Sequence, residues 1–132
     1  MKLSKKKPKI YDRIKATFPS VEWDRGLIIT YGDTVHCKFD IGPHKEVHEG
    51  VHVKQQLEMG KEKWWDMYIE YPAFRLLQEI EAYTAEVAFM RDHTELTTRD
   101  QRRHYLKQIV ENMSGPMYGN ICTRKQAEQL FR

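Results

Sequence analysis

Apolar and polar positions along this chain repeat with two different periods. Residues 27–31 (LIITY) and 34–39 (TVHCKF) are rich in β-branched and aromatic side chains and flank Gly32-Asp33, which predicts two strands joined by a tight hairpin turn. Elsewhere the period is helical. Ile10, Ile14 and Phe18, with Tyr11 beside them, predict a short helix that ends at Pro19 and caps the core. Ile41-Gly42-Pro43 breaks the second strand, and Pro43 suits the first turn of a helix over 45–59 that Gly60 stops. On that helix Val47, Val51 and Leu57 make the expected apolar side.

Trp64, Trp65, Tyr68 and Tyr71 mark a short helix over 61–71 that ends before Pro72; core packing is the expected role of its aromatics. A longer helix is expected over 72–91, with Leu76, Leu77, Ile80, Tyr83, Thr84 and Val87 as its buried stripe. Another follows over 98–113, capped by Thr97 or Thr98, with Tyr105, Leu106, Ile109 and Val110 inward; Ser114-Gly115-Pro116 ends it. Thr123 is the expected N-cap of a terminal helix over 123–131.

At 132 residues the chain has the size of one domain, expected over 10–132. With 40% hydrophobic and 31% charged residues it has the composition of a soluble globular protein. No apolar run approaches the roughly 18 residues of a membrane span, so no membrane partner is expected. Formal charge is only +3, and much of the excess comes from Lys2, Lys5, Lys6, Lys7 and Lys9, which predict a disordered basic arm over 1–9. No apolar segment follows these lysines, so the arm does not read as a secretory signal and a cytoplasmic location is expected. Cys37 and Cys122 are then expected as free thiols.

The polar positions carry the chemistry. His48-Glu49-Gly50-Val51-His52 reads H-E-x-x-H, and residues four apart on a helix lie one above the other, so both imidazoles can grip one metal ion. Glu49 is rotated by about 100° from His48, which puts its carboxylate beside the metal, in reach of a metal-bound water, as general base. Gly50 is read as leaving room on the metal side of the helix. The pentapeptide arises by chance in this composition with odds on the order of one in forty, so it needs a third ligand to carry weight. Catalytic zinc takes three protein ligands and a water. Glu79 and Glu81 on the long helix compete for that place, and Glu79, with Leu76 at i−3 and Ala82 and Tyr83 at i+3 and i+4, borders the expected buried stripe more closely.

An H-E-x-x-H helix followed by a helix carrying Glu79-Ile80-Glu81-Ala82 resembles the gluzincin metallopeptidases, whose second helix often reads E-x-x-A-D. Tyr83 stands where that family commonly has an aspartate or asparagine orienting a ligand histidine. Over residues 27–122, H-E-G-V-H-V-K-Q-Q, W-W, F-R-L-L-Q-E-I-E-A-Y and G-P-M-Y-G-N look like small zincin-like proteins of tailed bacteriophages. The resemblance implies a minimal α+β zincin-like domain: hairpin, H-E-x-x-H helix, glutamate helix and C-terminal helices. It also implies a Zn2+ cofactor on His48, His52 and Glu79, and a host-cytoplasmic or virion-associated setting.

The expected activity is hydrolysis of peptide or amide bonds, with protein, peptide or cell-wall peptide as substrate and the 34–39 strand pairing with it edge to edge. His93, His104 and Tyr118 are the candidate donors to the oxyanion. His44 is expected to be an exposed first-turn residue. The competing expectation is a zinc-stabilised binding or virion-associated protein without turnover. Nucleic-acid binding through the basic arm and the cluster Arg99, Arg102 and Arg103 is a third, disfavoured in the arm by the lack of interleaved aromatics.

Overall fold

The computed structural model describes residues 1–93, 96 and 98–131. Thr97, one of the two expected caps, lies outside the described residues. Among the described residues the class is α+β, a small three-stranded sheet with six α-helices. Strand β2 (Ile29–Tyr31) turns at Gly32 and returns antiparallel as β3 (Thr34–His36), with Thr30 opposite Val35. Gly32 has φ +65°, a left-handed conformation that glycine adopts without steric cost.

The basic arm is not disordered throughout. Lys2–Ser4 forms β1, parallel to β3, with Leu3 opposite Val35. The physical reason is the outer edge of β3, whose backbone groups need partners that a third strand supplies. Lys2 N donates to Asp33 O at 2.8 Å and Cys37 N to Ser4 O at 3.0 Å, while the Lys2 and Lys5 ammonium groups settle on Asp33 and Asp40. With the order β1-β3-β2, β3 has a neighbour on each side. The expected pairing of a peptide substrate along 34–36 therefore has no open edge to use.

Helices α1 (Tyr11–Thr17), α2 (Pro43–Met59), α3 (Lys61–Glu70), α4 (Pro72–His93), α5 (Arg99–Ser114) and α6 (Arg124–Leu130) follow the expected punctuation closely. Gly60, at φ +91°, ends α2. Capping boxes start α5 and α6: the Thr98 and Thr123 hydroxyls accept from Gln101 N and Gln126 N, and the two glutamines answer by accepting from the threonine amides. No helix among the described residues is long and apolar enough to cross a membrane. Both cysteines are free thiols, Cys37 buried and Cys122 half-buried.

Two apolar clusters hold these elements together. Ile10, Ile14, Phe18, Ile29, Trp64 and Trp65 join α1, β2 and α3, while Tyr83, Val87, Ile109, Met113 and Phe131 join α4, α5 and the C-terminus. Helix α2 packs chiefly on α4 and contributes to neither cluster's buried set. Its buried residues are His48, Glu49, His52, Gln55 and Gln56. Val47 and Val51 are only half-buried and Leu57 is 83% exposed, so the expected apolar side is not the docked one. The stripe of α4 holds in part: Tyr83 and Val87 are buried and Leu76 and Ile80 pack beside them, whereas Leu77 is 62% exposed and Thr84 is exposed. Arg75, Glu79 and Glu86 extend the buried face beyond its apolar positions, because α2 and α4 meet through a polar network.

Candidate metal centre

Helices α2 and α4 bring His48, His52 and Glu79 together, 3%, 4% and 2% exposed. His48 Nε2 lies 3.2 Å from Glu79 Oε1 and His52 Nε2 lies 3.3 Å from Glu79 Oε2. One ligand atom from each residue fits within 4.8 Å of the others, so this group could hold a metal ion. Two donors about 2.0–2.1 Å from a shared tetrahedral zinc stand roughly 3.3 Å apart, the separation seen on both sides of Glu79.

The hydrogen bonds around His52 fix its tautomer. Gln55 Nε2 donates to the Gln78 carbonyl at 3.2 Å, which turns Gln55 Oε1 toward His52 Nδ1 at 2.8 Å. Oε1 only accepts, so Nδ1 carries the proton, and in the neutral ring Nε2 presents a lone pair to the Glu79 carboxylate. A lone pair facing a buried carboxylate is repulsive unless a cation lies between them or the ring is protonated. His48 has a carboxylate at each nitrogen, Glu79 at Nε2 and Glu86 Oε1 3.1 Å from Nδ1, so a neutral ring can offer its single N–H to only one of them. The second contact is ionic rather than an aligned hydrogen bond, since Nδ1 has no hydrogen-bond partner. A metal ion on the two Nε2 atoms and Glu79 would relieve both contacts with that carboxylate, and two imidazoles with one carboxylate are a donor set that suits zinc.

Surrounding groups hold the cluster in place. Tyr68 donates to Glu79 Oε2 at 2.6 Å, and Tyr105 donates to Glu86 Oε2 at 2.5 Å while Lys45 Nζ sits 3.3 Å from Glu86 Oε1. The Tyr83 ring stands edge-on to His48 at 4.4 Å between centroids, and Trp64 leans on His52 at 5.5 Å. Arg75, itself buried, donates to the carbonyls of Tyr68, Ile69 and Tyr118, so one guanidinium ties the end of α3 to the loop carrying Tyr118. Gln56 clamps the hairpin to α2, donating to Thr30 O at 2.8 Å and accepting from Gly32 N at 2.6 Å.

Electrostatics follow from this crowding. Burial opposes charge on His48, but Glu79 and Glu86 outweigh it and push its pKa up to about 10. Burial likewise opposes ionisation of Glu79, yet His52 and His48 hold its carboxyl well below the usual range. Glu49 goes the other way: burial raises its pKa, and among the described residues its one side-chain hydrogen bond is from Thr30 Oγ1, at a long 3.5 Å.

A cavity of about 230 Å3 opens beside His48 and Glu49. Ile14, Phe18, Val21, Leu27 and Met117 give it an apolar wall, and Lys45, Tyr68, Tyr83, Asn112 and Tyr118 add polar groups. No protein-family model, curated protein or solved structure matches the chain.

The geometry of the site sorts the residues singled out in the sequence. Glu79 faces the histidines, whereas Glu81 is exposed on the far side of α4. Tyr118 lines the cavity and shares a 2.8 Å hydrogen bond with the Tyr83 hydroxyl, which also accepts from Asn112 Nδ2. His93 and His104 are exposed and do not line it. His44 is half-buried against Tyr105 rather than exposed. A side-chain carbon at Gly50 would meet nothing within 4 Å, so the site draws no room from that glycine. Gln55, Tyr68 and Glu86 escaped the sequence reading. Gln55 had a local signal in its i+3 spacing from His52; Glu86, seven residues after Glu79, had one in falling on the same face of α4.

Proposed function

We propose that this chain is a zinc-dependent hydrolase of peptide or amide bonds on a minimal zincin-like scaffold, with His48, His52 and Glu79 holding the ion and Glu49 as general base. The observation that carries this reading is the convergence of His48 Nε2 and His52 Nε2 on the two oxygens of the buried Glu79 carboxylate, with Gln55 Oε1 set to accept from His52 Nδ1. Zinc held there supplies a Lewis acid for the scissile carbonyl and a lowered pKa for water.

The chain's own groups supply the rest. Glu49 lines the cavity beside His48, and burial raises its pKa above the usual carboxylate range, which favours a carboxylate that both accepts and returns a proton. It takes a proton from the attacking water and delivers it to the departing nitrogen, so a C–O bond replaces C–N and the carboxylate is regenerated. With Tyr83 donating to Tyr118, the Tyr118 hydrogen is free to stabilise the oxyanion. At about 230 Å3 the cavity is smaller than typical ligand pockets, so it takes one side chain while the remaining substrate lies outside.

A second reading, zinc as a purely structural staple between α2 and α4, is favoured by the near-complete burial of the three ligands. Glu49→Gln separates the two readings. Zinc-loaded parent and variant are incubated with peptide libraries and cell-wall fragments while metal content is monitored. The hydrolase reading expects cleavage by the parent, and at least about a hundredfold loss in the variant with zinc retained. Full zinc with no cleavage by the parent supports the staple.

A further inference from the structure

The chain's basic residues fall into two groups that differ in what they touch. In the arm, Lys2 and Lys5 pair with Asp33 and Asp40, and Lys7 and Lys9 lie over the rings of Tyr11 and Tyr31. Along α5, Arg99, Arg102, Arg103 and Lys107 have no carboxylate partner among the described residues. With Arg124 of α6 they line one open groove of about 480 Å3, where Glu128, paired with Arg124 at 3.1 Å, is the only acidic lining residue among the described residues. The spacing i, i+3, i+4 and i+8 puts the four α5 cations on one helical face.

Between these cations the groove is lined by half-buried Leu106 and by the buried Val110 and Phe131. Arg102 and Leu106 also border a neighbouring hollow of about 250 Å3, lined further by Val87, Met90 and Leu96. The surface is thus two adjoining apolar depressions inside a basic rim. A nucleic-acid backbone would engage the rim but has no apolar group for the depressions, and the one aromatic lining the groove, Phe131, is buried and unable to stack on bases. An acidic amphipathic helix matches both features, with apolar side chains for the depressions and carboxylates for the rim.

We infer that the α5–α6 face is a docking surface for an acidic amphipathic helical segment of a protein partner. This inference does not depend on the metal centre. The test uses the full-length chain, with and without added zinc, and fluorescence anisotropy of three probes: a synthetic Glu-rich helical peptide with Leu at i, i+4 and i+7, the same peptide with Ser for Leu, and a mixed-sequence DNA duplex. The Leu peptide should bind saturably and about tenfold more tightly than the Ser peptide, and Arg102→Glu/Arg103→Glu should weaken it by a similar factor with an unchanged melting temperature. Lys107→Glu, farther along the same rim, should reproduce part of that loss. Absence of saturable binding, equal binding of the two peptides, or tighter binding of the duplex would overturn the inference.

Discussion

Helices α2 and α3 are consecutive, separated only by Gly60, yet they dock by opposite means. Helix α3 buries Trp64, Trp65 and Tyr68 in an aromatic cluster, the ordinary way for a helix to gain stability from water exclusion. Helix α2 buries two histidines, a glutamate and two glutamines, and leaves Leu57 in solvent. Desolvating such groups costs several kcal/mol unless each finds a partner, so that face is organised by mutual neutralisation rather than by apolar contact. The contrast teaches that α3 docks through an aromatic face while α2 docks through a polar network shared with Glu79 and Glu86 of α4, and that network is what most of the substitutions probe.

The largest effect is expected at Glu79. Glu79→Ala removes a ligand and leaves two buried imidazoles without their carboxylate, which should abolish tight zinc binding and cost about 3–5 kcal/mol of stability. Glu81→Ala, at an exposed position of the same helix, should stay within about 0.5 kcal/mol of the parent. Chelator competition and thermal melting of the two variants measure both quantities, and a larger loss for Glu81→Ala would reverse the assignment.

Stability of the zinc-free chain should depend on pH through His48. Its pKa rises from 6.5 to about 10 in the folded chain, because Glu79 and Glu86 outweigh the burial that disfavours its charge. A pKa raised by folding contributes stability that is fully present below the unfolded value of 6.5 and is lost as pH climbs toward 10. The melting temperature of chelator-stripped protein should therefore fall across that window. Added zinc, which needs unprotonated imidazoles, should flatten the slope. Parallel slopes with and without zinc would mean that the metal does not meet His48.

Glu86→Gln should leave all three ligands in place and weaken zinc affinity about 10–100-fold, because the variant loses the charge beside His48 Nδ1. Tyr105→Phe, which removes only the hydrogen bond to Glu86, should do less. The visible spectrum of the cobalt-substituted protein adds a readout that a merely structural role of Glu86 would not move. The smallest effect belongs to Gly50→Ala on the open side of α2, which should stabilise the chain by about 0.5–1 kcal/mol in thermal melts with unchanged zinc affinity.

What the sequence made legible was local. The i, i+4 histidines, the Gly32 turn, the Gly60 stop and the Thr98 and Thr123 caps depend on neighbours within a few residues, and the structure has each of them where the pattern put it. What it hid was tertiary. Strand β1 spans only Lys2–Ser4, and its reason for forming lies in the edge of β3 some thirty residues away. The buried face of α2, and the share of α4's that Arg75, Glu79 and Glu86 take, do not show in apolar periodicity, which assumes a core without charge. Glu86 was overlooked for Tyr83, the position suggested by the E-x-x-A-D pattern. Tyr83 in fact sends its hydroxyl to Tyr118 and only its ring to His48, while the carboxylate comes from one turn farther along α4.

The central claim is that three buried bases share one metal ion, and calorimetric titration of zinc into the chelator-stripped full-length chain tests it most directly. The account predicts one zinc per chain, proton release on binding, and loss of the tight event in His48→Ala, His52→Ala and Glu79→Ala alike. A chain that takes up no zinc, or takes it up equally well after all three substitutions, would contradict it.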